Sequence, residues 1–379
     1  MVKNLTDRKA STHQEESVVA IMRSTYRTAE RQIEDALRLL DYKPGRKKIL
    51  LKPNVVTPPR WLPLGGVPRS TITDIRFIEA LLRVFDGYEI TIAEGSASHD
   101  TDLVLRKTGV AALARKYGAQ VVNLDHAERY EVPWAYGTLH LPVLLQTHEY
   151  INVPKLKTHF QAGMTLGCKN QKGLLALADK IRFHRQLDLH AAIRALTDVV
   201  QPALTIVDGI VGMDGAGPAS GHSRRSHLIV AGRDVRAVDV ACCDLVSIDL
   251  TQVPHLSRVP YRPVGRTVEE MCQRYHMSPE VVVGDAHFYM MTRACSRCML
   301  SALDGLTAFW RSPYHLLRGA WSCILHRTDI ITGQGEEIPP TACGRLVCYG
   351  DCTRKLAEKH GVQWIPGCPP TVQAHLAIY

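Results

Sequence analysis

Residues 155–185 concentrate the groups best able to do chemistry. Lys155, Lys157, Lys169, Lys172, Lys180, Arg182 and Arg185 stand there against a single acid, Asp179. His159 and His184 add imidazoles, which titrate near neutral pH and suit proton transfer. Gly163, Gly167 and Gly173 allow a backbone to approach a ligand closely. Lysines and backbone N–H groups converging on one loop suit a phosphate or a carboxylate. The bland alternative is a solvated basic face, but the glycines and the position after an apolar run (150–154) favour a site. Lys157, His159, Lys169 and Lys172 are therefore expected to face an anionic small molecule, with His159 or His184 as proton donor. Lys52, Asn54, Lys155 and Asp208, each at or beside the end of an apolar run, are expected to line the same site.

Asp208 precedes a glycine-rich stretch, 212–221. It matches neither G-x-G-x-x-G nor G-x-x-x-x-G-K-[ST], so no nucleotide motif is present there. An Asp capping a turn is as good a reading as a metal or ribose ligand. Nucleic acid is an unlikely partner despite a net charge of +9, because aromatics make up only 6% of the chain and offer no stacking platform.

The cysteines form the second chemical signal. There are 11, none before Cys168, and seven fall between Cys295 and Cys368. Cys295 and Cys298 make a C-x-x-C. Cys352 closes a Gly-x-Cys after an apolar run, and Cys368 sits in Gly-Cys-Pro-Pro after another. Four thiolates from three loops suit a tetrahedral zinc site or a [4Fe–4S] cluster. Cys323, Cys343 and Cys348 are expected to be spare or core thiols, and Cys242 and Cys243 helix core.

These groups need a scaffold. The chain has 379 residues and 45% hydrophobic content, enough for a sizeable core and a soft expectation of two domains. Strand-like runs alternate with helical periodicity from residue 48 to about 246. That alternation predicts an α/β fold, a doubly wound, mostly parallel sheet with a smaller C-terminal Cys-rich α/β module. Ligands bind such sheets beyond the carboxyl ends of the strands. The expected organisation is a leader and helix (1–45), an anion-binding α/β domain (46–250), a linker (251–292) and a Cys-rich iron–sulfur module (293–379). No run of 18 apolar residues is present, so no membrane span is expected. The polar N-terminal segment and the cysteine usage point to the cytoplasm.

Several segments resemble known families. Residues 49–54 (ILLKPN), 151–159 (INVPKLKTH), 167–173 (GCKNQKG), 207–218 (VDGIVGMDGAGP) and 237–239 (AVD) resemble the domain of unknown function 362 family over roughly 45–250. Many of its members carry iron–sulfur modules, so the resemblance implies redox metabolism. Residues 346–370 resemble the cluster-binding part of the nickel–iron hydrogenase small subunit and its relative in respiratory complex I. That resemblance implies Cys295, Cys298, Cys352 and Cys368 as ligands of one [4Fe–4S] cluster. The Lys-x-Lys-x-His segment is also similar to lactate racemase, which implies a catalytic set of His159, Lys169 and His184 and a metal or nucleotide cofactor.

The combined expectation is an iron–sulfur oxidoreductase that passes electrons from a [4Fe–4S] cluster to an anionic molecule at Lys157, His159 and Lys169. The alternatives are an electron-transfer or cluster-maturation partner docking a redox protein, and a lactate-racemase-like isomerase. Whether a second cofactor occupies the α/β cleft stays open.

Overall fold

The computed structural model describes residues 16–57, 69–96, 100–218, 221–278, 280–283, 286–291, 298, 301 and 327–376. Ten strands form the main sheet: β1 (Ser17–Arg23), β2 (Lys48–Pro53), β3 (Glu89–Glu94), β4 (Gln120–Asn123), β7 (Glu149–Val153), β8 (Lys155–His159), β9 (Gly163–Thr165), β10 (Leu204–Asp214), β11 (His222–Gly232) and β12 (Tyr261–Gly265). The strands β5 (Arg129–Trp134) and β6 (Gly137–Pro142) pair as a separate hairpin. The spatial order is β12-β1-β11-β10-β7-β2-β3-β4, with β8 against β10 and β9. From β10 through β7, β2 and β3 to β4 every neighbour is parallel. β11 runs against its neighbours β1 and β10, and β9 runs against β8.

Strand alternation builds two cores on opposite faces of this sheet. Leu50 packs with Ala192, Ile193 and Leu196 of the helix Leu189–Val199, and with Val238 and Ala241 of the helix Val235–Leu245. Ile49 and Leu51 point the other way, to Ile33 of the helix Ala29–Leu39 and to Phe77, Ile78 and Leu81 of the helix Ile75–Val84. Helices on both faces of a largely parallel sheet are the doubly wound architecture the alternation predicts.

Four local features differ from the sequence reading. Residues 17–23, within the expected leader, form β1 inside the sheet, and residues 261–265, within the expected linker, form β12 beside it. β10 does not end at Asp208. It runs on to Asp214 through a register shift between Gly209 and Val211, so Asp208 lies within a strand and not at its exit. Lys155 to His159 is likewise a strand and not a loop, because the edge of β10 left open beyond β7 pairs with it.

The C-terminal part forms its own sheet, β13 (Glu280–Val283), β14 (Ala286–Met290), β15 (Thr328–Thr332), β16 (Arg345–Tyr349) and β17 (Gln363–Ile365), paired in that order. β14 to β17 are parallel, and the helix Arg354–His360 crosses from β16 to β17. Among the described residues no helix is long and apolar enough to cross a membrane.

Candidate functional site

The carboxyl ends of β2, β3 and β7 meet under a short segment, the helix Gly167–Asn170 and the turn Gln171–Leu174. Asn170 is the hub. Its Oδ1 accepts from Lys52 Nζ (3.1 Å) and Asn54 Nδ2 (3.0 Å). Its Nδ2 donates to Asn152 Oδ1 (2.8 Å) and the Lys52 carbonyl (3.2 Å). Sequence reasoning quoted Asn170 within a motif but gave it no role. Its contacts span more than a hundred residues of chain, and spacing does not reveal such pairs.

Six lysines converge here, and most are held. Lys52 pairs with Glu94 Oε1 (2.6 Å), Lys155 with Asp208 Oδ2 (2.7 Å) and Lys180 with Asp125 Oδ1 (2.8 Å). Asp208 also accepts from Tyr26 OH (3.3 Å) and from the Asp74 N–H (2.9 Å), so it anchors protein groups. Lys157 donates to the Thr71 carbonyl (2.6 Å), and Lys172 lies 5.7 Å from the centre of the Phe183 ring. Among the described residues Lys169 has no hydrogen bond or ion pair at its ammonium, and it is the only one of the six not fully buried. Three carboxylates thus face six ammonium groups. Burial and the Lys52 charge bring the Lys169 amine down to about 8. Burial, with Lys169 and Lys155 beside it, pushes Lys157 well below its ordinary value, and burial with Lys169 does the same to Lys172. A dianion or carboxylate placed among them relieves that repulsion.

His159 ends β8 and is buried. Its Nδ1 accepts from the Gln161 and Ala162 N–H groups (3.1 and 3.2 Å), which fixes the Nε2–H tautomer. The helix Leu177–Arg185 carries His184, whose side chain lies outside the described residues. A different imidazole pair adjoins the site. His190 and His255 have Nδ1 atoms 3.2 Å apart and stacked rings, and burial, then His190 and Lys169, hold His255 down at about 3. Sequence reasoning missed both, since they come from separate segments with no shared pattern.

The backbone reading needs correction. The Gly167 and Cys168 N–H groups do not face a ligand. They donate to the two oxygens of Asp239 (2.7 and 2.8 Å), a buried carboxyl pushed up to about 7 by burial. The glycines also sit against protein. A Cβ on Gly173 would reach Glu94 Oε1 at 2.5 Å, and one on Gly163 would strike the Gln252 carbonyl. Glycine here closes the segment onto the strand ends, and side chains provide the positive charge.

In the C-terminal sheet, Cys352 and Cys368 follow the carboxyl ends of β16 and β17. The two exits are tied together: Gly350 N–H to Ile365 O (2.9 Å), Asp351 N–H to Gly367 O (3.0 Å) and Gly367 N–H to Asp351 Oδ1 (2.7 Å). Ser301, three residues after Cys298, bonds Tyr349 OH and the Pro370 carbonyl. Gly350 has φ +101°, and a Cβ there would lie 2.8 Å from Cys298 Sγ and 3.7 Å from Cys352 Sγ. Cys295 lies outside the described residues, as does Cys323. Among the described residues no three His, Cys, Asp or Glu side chains stand as a metal-holding group. Cys348 is core, its thiol pushed up to about 11 by burial, and Cys242 and Cys243 are helix core as expected.

Fold and site together define an α/β protein with a buried lysine cluster at the carboxyl edge of its parallel strands. The chain belongs to the family described as Domain of unknown function (DUF362), whose model matches residues 49–244. That span contains the lysine cluster, Asn170, His159 and Asp239. Among curated proteins the chain is similar to the Thylakoid-associated protein sll1697 of Synechocystis sp., at 26% identity over 250 residues, covering 64% of this chain and 75% of that one. No solved structure matches.

Proposed function

We propose that the chain binds an anionic small molecule, bearing a carboxylate or phosphate, in the lysine cleft and acts on it as an iron–sulfur oxidoreductase. The observation that carries this reading is the excess of buried ammonium over carboxylate around Lys169. Folding gains nothing from an uncompensated buried cation, and a bound anion removes the penalty. Lys157, Lys169 and Lys172 hold the anion, and His159 offers its Nε2–H to it. Asn170 and the Lys52–Glu94 pair keep the floor rigid.

The cysteine module supports the redox half. Cys298 and Cys352 approach one another around a position that only glycine leaves open, and the Cys368 loop is bonded to the Cys352 loop. Cys295, Cys298, Cys352 and Cys368 would hold the cluster, which supplies one-electron transfer when bound. Cysteine usage favours the cytoplasm as its compartment. Anaerobic purification with iron, sulfide and EPR analysis tests the reading. About four iron and four sulfide per chain are expected for one cluster. Zinc without iron contradicts it.

A further inference from the structure

The lysine cluster holds one amine unlike its neighbours. Five of the six lysines are engaged. Lys52, Lys155 and Lys180 face carboxylates, Lys157 a backbone carbonyl, and Lys172 the Phe183 ring. All five are buried. Lys169 is partly exposed and, among the described residues, has no partner at its ammonium. An amine on a partly exposed residue, unengaged among the described residues and set among other lysines, has the setting of a nucleophile rather than of a structural cation.

We infer that Lys169 is a carbonyl-capturing amine, forming an imine with an aldehyde or ketone that carries a carboxylate or phosphate. This rests on the anionic-ligand reading of the cleft, with Lys157 and Lys172 receiving the charged group. The Lys169 nitrogen attacks the carbonyl carbon, a C–N bond forms and the C=O π bond breaks. Both amine hydrogens leave with the carbonyl oxygen as water, so the imine forms without an oxidant or reductant. The groups around the amine are Lys52 of β2, Lys157 of β8, Lys172 of the adjoining turn and His255. The three lysines favour the neutral amine. With the Lys169 amine brought down to about 8, its free-base fraction near neutral pH exceeds that of an ordinary lysine by about two orders of magnitude.

The probe is glyoxylate with cyanoborohydride, which reduces an imine to a stable carboxymethyl-lysine, read by intact mass and peptide mapping on the full chain at pH 7.5. The expected result is one modification, at Lys169, at least about tenfold faster than at any other lysine. Its rate rises with pH and levels off above about 8. Inorganic phosphate slows it, and benzaldehyde, which lacks the anionic group, labels Lys169 poorly. Lys169→Arg, which keeps the charge, abolishes that modification. Labelling spread over exposed lysines with Lys169 unmodified overturns the inference, as does an unchanged labelling rate in Lys169→Arg. The wild-type phosphate and pH dependences stand even if that variant folds poorly. Phosphate-induced thermal stabilisation is measured in parallel. If it occurs without labelling, imine capture fails and the anion cleft stands. If neither occurs, both fail.

Discussion

Lys169 and Glu94 sit in one cluster and carry opposite consequences. The Lys169 amine, at about 8 in the fold, is depressed below the 10.5 of an ordinary lysine. A depressed group lends stability above its unfolded value and loses it as pH falls through its folded value. The ligand-free protein is therefore expected to gain stability between about pH 8 and 10.5 from this residue, while anion affinity falls over the same range as Lys169 loses its charge. Urea titrations across pH, with and without phosphate, check both signs. Lys169→Met is expected to lose phosphate binding yet unfold at higher denaturant, by about 1 kcal/mol. Glu94 does the opposite. It pairs with Lys52 and also accepts from the Val55 and Gly95 N–H groups (2.8 and 2.9 Å). Glu94→Gln leaves Lys52 buried without a counter-charge and is expected to cost about 3–5 kcal/mol. The double change Lys52→Met with Glu94→Leu is expected to cost less than the single one, in the same denaturation assay.

Single elements show where sequence reasoning succeeds and where it stops. The apolar runs of β2, β3 and β7 were legible because a strand buried on both faces reads as continuous hydrophobicity. So were the lysines at their ends, since parallel sheets place ligands there. β1 was not, because its short apolar core is flanked by charged residues and gains its place only by pairing with β11 and β12, more than two hundred residues away. The reach of β10 past Asp208 was hidden because glycines that read as loop are tolerated at a register shift. The segment 167–173 reads as a ligand-binding backbone, but its Gly167 and Cys168 N–H groups are taken by Asp239. Asp239→Ala frees those donors in a buried setting. It is expected to cost about 2–4 kcal/mol, to speed amide exchange over 167–174 and to weaken phosphate binding at least about tenfold. Hydrogen exchange localised to that segment checks it, and a uniform increase across the main sheet contradicts it.

The whole molecule carries the lysine cluster in one sheet and, in a second, two of the cysteines proposed as cluster ligands, and each site is expected to fail alone. Cys368→Ser and Gly350→Val both act on the module, the first by removing a proposed ligand and the second by filling the space beside Cys298 and Cys352. Both are expected to lose iron and the EPR signal while phosphate binding stays within about twofold, since the two sites share no residue and lie in separate sheets. Loss of phosphate binding in both contradicts independent sites.

The central claim is that the lysine cluster is an anion site. Calorimetric titration of inorganic phosphate at pH 7 into wild type, Lys157→Met and Lys169→Met tests it most directly. One saturable site in wild type, weakened at least about tenfold in each variant and screened by salt, is the expected result. Absent saturable binding, or equal binding in all three proteins, contradicts it.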